Sequence, residues 1–246
     1  MSNMYGNLYL VSTPIGNLED LTFRAVKVLS SVDIILAESV ERTKKLLSHY
    51  DIDAKVISFN KDNEKRKINN AVACLKASKN IALVSDAGTP CVSDPGFYLL
   101  SNLDEEIKII PIPGASSITC ALSVSKIPMN GFTFLGFLPK KENDRKNKLL
   151  QAYSTELPLC IFESKHRLLD LLEDICSIFG EDAMVGLFRE MTKIYETITH
   201  KSVTEHIFDL KRNTPKGEFV IIVAPNRRVE IELSLIHISE PTRLSR

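Results

Sequence analysis

Short apolar runs that alternate with amphipathic stretches are the feature of this sequence that most restricts its fold. In the first half, the runs that predict strands are 8–13, 34–37, 55–59, 81–84 and 107–112. Helical periodicity separates them, for example in 24–32 and 65–77. A strand that is apolar along its whole length is buried on both faces, which is typical of a parallel sheet covered by helices. The sequence therefore predicts an α/β fold with a mostly parallel sheet in this half.

The second half repeats the alternation and predicts a second α/β lobe. Its predicted strands are 132–137, 158–162, 183–188, 196–200 and 218–224. We expect the last two to form an antiparallel pair, which would make the second sheet mixed. The clearest helix is 168–179, because Gly180 follows it at the position where helices commonly end. We predict an N-terminal lobe over 1–115 and a C-terminal lobe over 116–228.

The last residues, 229–246, do not continue this pattern. Within them, 233–243 reads Leu-Ser-Leu-Ile-His-Ile-Ser-Glu-Pro-Thr-Arg, which resembles the translation of a sequencing adapter. We interpret 229–246 as a tail that is foreign to the domain and leave it out of the predicted fold.

Composition excludes several classes of protein. Lysine plus arginine and aspartate plus glutamate both number 31, which excludes a uniformly basic protein that coats nucleic acid but allows a local basic patch. The five cysteines are scattered without metal-ligand spacing, which indicates free thiols in a reducing compartment and no metal site. Neither a signal peptide nor a membrane-spanning run is recognisable. We therefore expect a cytoplasmic protein.

Turns rich in glycine and proline follow three of the predicted strands, at 13–17, 85–90 and 111–116. In an open parallel sheet, ligands bind beyond the carboxyl ends of the strands, and glycine lets a ligand approach the backbone. Ordinary turn chemistry explains one such turn, but three in one lobe favour a shared ligand site. None of them has the glycine spacing of dinucleotide-binding or P-loop proteins. After the second turn, Asp94 and Pro95 are typical of a helix start.

Motifs at these turns and beyond them are similar to those of a known family. The sequence resembles the ribosomal RNA small subunit methyltransferase I family, of the tetrapyrrole methylase superfamily, in 11–20, 85–96, 113–117, 136–141, 162–169, 189–193 and 217–220. The most specific of these motifs is 85–96, Ser-Asp-Ala-Gly-Thr-Pro-Cys-Val-Ser-Asp-Pro-Gly. The sequence departs from the family after Glu38, where Ser-Val-Glu replaces Asp-Thr-Arg, and at Lys165, where proline is usual.

The resemblance implies two αβα lobes, as in class III methyltransferases, with S-adenosylmethionine bound between them. It also implies a homodimer without a metal ion that methylates the ribose 2′-hydroxyl of a cytidine in small-subunit (16S) ribosomal RNA. The small helical C-terminal extension of the family is missing from this sequence. Two other functions stay open on the residues alone: methylation of a small tetrapyrrole-like molecule, and binding of RNA or a nucleotide without catalysis.

Positions that match the family motifs give the candidate site. The residues that the resemblance assigns to the cofactor are Pro14, Gly16, Asp86, Gly88, Val92, Ser116, Ser117 and Phe162. Glu38 and Glu190 are the candidate catalytic residues, because the family motifs hold an acid at both positions. The alternative for each of them is a structural ion pair with a nearby lysine or arginine.

The densest basic run, 140–148, is a candidate contact for RNA phosphates. From this run and the motif at 162–169 we select as RNA-binding residues Lys140, Lys141, Arg145, His166 and Arg167. The alternative is a solvated helix face without a ligand. Phe132, Phe134 and Phe137, just before the run, are expected in the core and not against a base.

Overall fold

Two five-stranded sheets, one from each half of the chain, form the framework of the computed structural model. It describes residues 5–213 and 215–224, so the predicted tail, 229–246, lies outside the described residues. Within the described part, no helix is long and apolar enough to cross a membrane. The two sheets share no strand, and the lobe boundary after residue 115 stays a prediction.

The first sheet is buried on both faces. It consists of β1 (Leu8–Val11), β2 (Ile34–Ala37), β3 (Val56–Ser58), β4 (Ile81–Val84) and β5 (Ile109–Ile112). All of its pairs are parallel, in the order β3-β2-β4-β1-β5. The helices of this half are α1 (Phe23–Ser31), α2 (Val40–His49), α3 (Glu64–Lys76) and the short α4 (Phe97–Leu100). Apolar clusters cover both faces, which confirms the fold predicted from the continuous apolar runs.

The second sheet is mixed, as predicted. It consists of β6 (Thr133–Phe137), β7 (Leu159–Ser164), β8 (Met184–Arg189), β9 (Thr197–Ser202) and β10 (Glu218–Val223). In the order β6-β7-β10-β8-β9, the first pair is parallel and the other pairs are antiparallel. The helices are α5 (Ser117–Ser123), α6 (Glu142–Tyr153), α7 (Leu168–Phe179) and α8 (Val203–Arg212). The apolar sides of α6, α7 and α8 cover one face of the sheet.

An apolar cluster joins the other face of the second sheet to the first lobe. Phe188 of β8 and Val220 of β10 pack in this cluster with Ile15, which lies in the turn after β1. Ala121 of α5 and Met191 of the turn after β8 also belong to it. Because these side chains are buried, the lobes are held together by a shared core in addition to the chain connection.

Two local predictions are wrong, and two helices, α5 and α8, are missing from the predicted pattern. β9 and β10 do not pair with each other, because β8 lies between them and pairs with both. The helix expected to begin at Asp94 begins at Phe97, because Gly96, with φ of 127°, turns the chain just before it. The apolar pattern did not predict α8, although Ser202 and Glu205 form a recognisable capping box at its start.

Candidate active site

The carboxyl ends of β1, β2, β4 and β5 open into a cleft between the lobes. These strands are neighbours in the first sheet, so the turns that follow them lie side by side. Phe162 of β7, Phe188 of β8 and Val220 of β10 face the turns from the second lobe. The cavity between them has a volume of about 430 Å³. Small-molecule sites typically have volumes of about 300–1,000 Å³.

The turn after β4, residues 85–96, forms one wall of the cavity with an unusual backbone. The residues in it with positive φ are Gly88 (79°), Cys91 (67°), Ser93 (68°) and Gly96 (127°). Residues with a Cβ rarely adopt such angles, and the strain persists only where the surroundings hold it. Gly88 is held by two backbone hydrogen bonds with Thr13, of 2.9 and 3.0 Å. Strain of this kind is concentrated at ligand sites, which favours a functional role for the turn.

Glu38 and Asp86, at the ends of β2 and β4, hold each other in position at the cavity. The Asp86 N–H donates to Glu38 Oε2 at 3.3 Å, and the Ser39 N–H donates to Asp86 Oδ1 at 3.0 Å. Arg42 of α2 places Nη1 3.1 Å from the other oxygen of Asp86. Among the described residues, Glu38 therefore bonds to backbone and has no ion pair, whereas Asp86 has one.

Glu190 lies on the opposite wall, in the turn after β8, and one oxygen of its carboxylate accepts two hydrogen bonds. Lys193 Nζ and the Glu218 N–H donate to Glu190 Oε1 at 3.0 and 2.9 Å. Burial acts to raise the pKa of Glu190, but these bonds outweigh it and hold the pKa below its usual value. A Cβ on Gly217 would lie 2.6 Å from Glu190 Cγ, so only glycine fits there. Glu190 therefore forms an ion pair with Lys193, which is the structural role that the sequence left open as the alternative to catalysis.

Asp94 also lines the cavity, although the sequence suggested for it only a place at a helix start. Burial raises the pKa of its carboxyl to about 6, and the Glu38 carboxylate acts in the same direction. Asp94 precedes a proline, and that pair is too common at helix starts to mark a functional carboxylate. Only its place at the end of the specific motif 85–96 was a signal.

Most residues assigned to the cofactor meet at the cavity. Those that line it are Asp86, Gly88, Val92, Ser116, Ser117 and Phe162. Pro14 and Gly16 instead line an adjoining depression of about 280 Å³. A Cβ on Gly16 would lie 2.4 Å from Lys193 Cγ and 2.9 Å from the Met191 carbonyl oxygen. The glycine is therefore required for the close approach of the second lobe, whatever binds beside it.

The candidate RNA-binding residues divide into two groups. Those that are exposed are Lys140, Lys141 and His166. Arg145 is 5% exposed, and its Nε lies 2.5 Å from Asp174 Oδ2 in a buried ion pair. Arg167 Nη2 donates to the Leu138 carbonyl at 2.8 Å and lies 3.0 Å from the buried Glu163 carboxylate. Because both guanidinium groups are occupied within the fold, the structure does not support an RNA contact by these two arginines.

Phe137, at the end of β6, was expected in the core. It is instead exposed at the cavity. Its side chain is 58% exposed, and its ring packs edge-to-face on Phe162 with centroids 5.6 Å apart. Phe132 is also exposed, whereas Phe134 packs on Phe162 at 5.1 Å and belongs to the cluster between the lobes. The exposed face of Phe137 is therefore free for a planar ligand.

A parallel α/β lobe and a mixed α/β lobe with a cavity between them form the fold of class III methyltransferases. The uroporphyrin-III C-methyltransferase from Thermus thermophilus has this fold, with a TM-score of 0.61 and 19% identity over 88% of this chain and 94% of that one. Residues 7–206 match the family described as Tetrapyrrole (Corrin/Porphyrin) Methylases.

Closer relatives in sequence carry a more specific description. Ribosomal RNA small subunit methyltransferase I from Halalkalibacterium halodurans is 44% identical over 92% of this chain and 79% of the relative. The protein of that name from Escherichia coli O157:H7 is 43% identical over 94% of this chain and 82% of the relative. The chain therefore belongs to the tetrapyrrole methylase family and, within it, to the ribosomal RNA small subunit methyltransferase I group.

Proposed function

We propose that this protein transfers a methyl group from S-adenosylmethionine to the ribose 2′-hydroxyl of a cytidine in small-subunit (16S) ribosomal RNA. Membership of the family supports methyl transfer, and the names of the relatives support ribosomal RNA as the acceptor. The observation that carries the proposal is the cavity between the lobes, whose charge fits the donor.

The cavity lining carries more acid than base. Its carboxylates belong to Glu38, Asp86, Asp94, Glu163, Glu190 and Glu218. Its cations are Arg42 and Lys193. S-adenosylmethionine has a sulfonium, an ammonium and one carboxylate, so its net positive charge is complementary to this lining. The same carboxylates would repel an RNA phosphate. The charge therefore favours an acceptor that inserts one nucleoside into the cavity and keeps its phosphates outside.

Within the cavity, the residues assigned to the cofactor offer the groups that the donor needs. Gly88 lines the cavity without a side chain, so a ligand can approach the turn closely, and Ser116 and Ser117 line the same space. Phe162 and Ile118 supply apolar surface for the adenine. Since the donor methyl is already activated by the sulfonium, the protein acts chiefly by aligning this carbon with the attacking oxygen.

The mouth of the cavity fits an RNA acceptor better than a tetrapyrrole. Phe137 offers an aromatic face of the kind on which unpaired bases stack. Lys140 and Lys141 follow it after the end of β6, where they can neutralise phosphates outside the acidic cavity. A tetrapyrrole that carries several carboxylates would instead meet the acidic lining directly.

The experiment that tests the function combines two measurements. Calorimetry should detect S-adenosylmethionine binding at one site per chain. Incubation with small ribosomal subunits that lack the modification should then yield a single new 2′-O-methylcytidine in mapped RNA. Methylation of a tetrapyrrole acceptor, with none in RNA, would favour the small-molecule function, and donor binding without any turnover would favour a binding protein.

Replacing Lys140 and Lys141 together with alanine should weaken binding to the small subunit RNA. Two lost phosphate contacts should reduce the slope of log affinity against log salt by about 1.4, at about 0.7 per contact with unpaired RNA. S-adenosylmethionine affinity should not change. The matched control replaces Lys79 and Lys108, which are exposed before β4 and β5, at the opposite edge of the first sheet. An equal slope in both double variants would contradict the proposed surface.

We propose further that the enzyme works in the cytoplasm as a homodimer without a metal ion, as the family resemblance implies. Leu18 (41% exposed), Ile194 (90%) and Tyr195 (68%) line one shallow depression and supply apolar surface that a second subunit would cover. Sedimentation at micromolar concentration measures the assembly state, and full activity in a chelator tests the independence from metal.

A further inference from the structure

Asp94 is a residue of the cavity whose carboxylate is not neutralised by a neighbouring side chain in the described part of the chain. Among the described residues it forms no ion pair, in contrast to Asp86 with Arg42 and Glu190 with Lys193. Glu38 accepts the Asp86 amide and is thereby tied to the backbone. Asp94 lines the same cavity, and although the Ser85 hydroxyl acts on its carboxylate, no described cation neutralises it in an ion pair.

From this placement, and on the basis of the proposed function, we infer that Asp94 is the base that accepts the proton of the acceptor 2′-hydroxyl. The ribose oxygen attacks the methyl carbon of S-adenosylmethionine and forms the O–C bond. The C–S bond breaks, and its electron pair stays on sulfur, which becomes a neutral thioether. The proton of the hydroxyl passes to the Asp94 carboxylate and from there to solvent, so charge and atoms balance.

The electrostatic surroundings suit a base at neutral pH. Burial raises the pKa of Asp94 to about 6, the carboxylates of Glu38 and Asp86 raise it further, and Lys61 and the Ser85 hydroxyl act against them. The carboxylate is therefore ionised at pH 7 to 8, yet it binds a proton more strongly than an ordinary aspartate. A base whose pKa lies close to the working pH is the most effective one.

The backbone around Asp94 is fixed before any ligand binds. Ser93 lies in the left-handed region, with φ of 68°, and the Gly96 N–H donates to the buried Glu64 carboxylate at 3.1 Å. On the side of the second lobe, a Cβ on Gly136 would lie 2.7 Å from Ser93 Oγ, so β6 packs tightly against the turn. A base held in this way loses little entropy when the acceptor arrives.

The test is Asp94→Asn, measured with the donor and with small ribosomal subunits. We expect kcat to fall about 10²- to 10⁴-fold, the usual contribution of a positioned base, while the Kd of S-adenosylmethionine and of the RNA stays within about twofold. In the wild-type protein kcat/KM should decrease below about pH 6, and this inflection should be absent in the variant. Asp94→Glu should restore part of the rate. The matched control is Asp62→Asn, which makes the same change at an exposed position in the turn between β3 and α3.

A second measurement keeps the inference testable apart from activity. Because the pKa of Asp94 is raised in the folded state, its ionisation costs stability as the pH rises through about 6. Asparagine removes this cost, so the Tm of Asp94→Asn relative to wild type should increase between pH 4.5 and 7.5. The inference about Asp94 would be overturned if this variant turned over normally, or if a rise in its donor Kd accounted for the whole loss of rate. Either result would leave the proposed function standing. Wild-type protein that methylates no RNA would overturn the proposed function and the inference with it.

Discussion

A valine in place of Gly88 is expected to abolish S-adenosylmethionine binding. Gly88 has φ of 79° at the wall of the cavity, and a β-branched residue is especially unfavourable there. The left-handed conformation alone costs a residue with a Cβ about 1–2 kcal/mol. A Cβ would lie 3.5 Å from Ile15 Cγ2, in ordinary contact, so the two γ-methyl groups are the atoms that would enter the ligand space.

A graded series separates the strain from the obstruction. Gly88→Ala should lower the free energy of unfolding by about 1–2 kcal/mol and weaken donor binding only moderately. Gly88→Val should lose the same stability and, in addition, show no S-adenosylmethionine binding in calorimetry. Gly131→Val is the matched control, because a Cβ on Gly131 meets only Leu157 at 3.7 Å. A folded Gly88→Val protein that binds the donor normally would exclude this turn from the site.

Asp174→Ala is expected to destabilise the second lobe strongly. It would leave the Arg145 guanidinium, which is 5% exposed, without its carboxylate. Removing one partner of a buried ion pair typically costs about 3–5 kcal/mol. Denaturant unfolding would measure this loss. Replacing both residues, as in Arg145→Met with Asp174→Leu, should cost much less, because no buried charge is left alone.

The exposed pair of Lys201 and Asp209 provides the control for the buried pair. Its side chains are 40% and 50% exposed at a distance of 2.6 Å, so Asp209→Ala should change stability little. If Asp174→Ala were equally mild and Arg145→Ala weakened RNA binding instead, Arg145 would be a ligand of RNA and not a part of the core.

The sequence predicted the fold best where one element carries its own signal. The first sheet follows from continuous apolar runs, and α7 follows from its periodicity and from Gly180, which has φ of 91°. The predicted pairing of β9 with β10 is wrong, because strand order depends on contacts between residues that are distant in the chain. A turn rich in glycine is visible in a sequence, but the neighbour of that turn is not.

For the site, the sequence located the turns but not the partner of each side chain. Arg145 was assigned to RNA from the density of charge, although its spacing to the buried Leu149 and Ala152 places it on the inner face of α6. Gly16 was assigned to the cofactor, but its small size is required by Met191 of the other lobe. Asp94 was not among the candidates because an aspartate before a proline is common at helix starts.

The cavity has walls from opposite ends of the described chain, and this has a consequence for folding. Ile15 follows β1, whereas Val220 belongs to β10, which lies at the centre of the second sheet between β7 and β8. During synthesis the donor site therefore cannot exist until the last described strand has been inserted between two strands made earlier. A ligand that binds only this finished state stabilises it by mass action. The cellular supply of methyl donor would then protect completed molecules and leave incompletely folded ones to proteolysis.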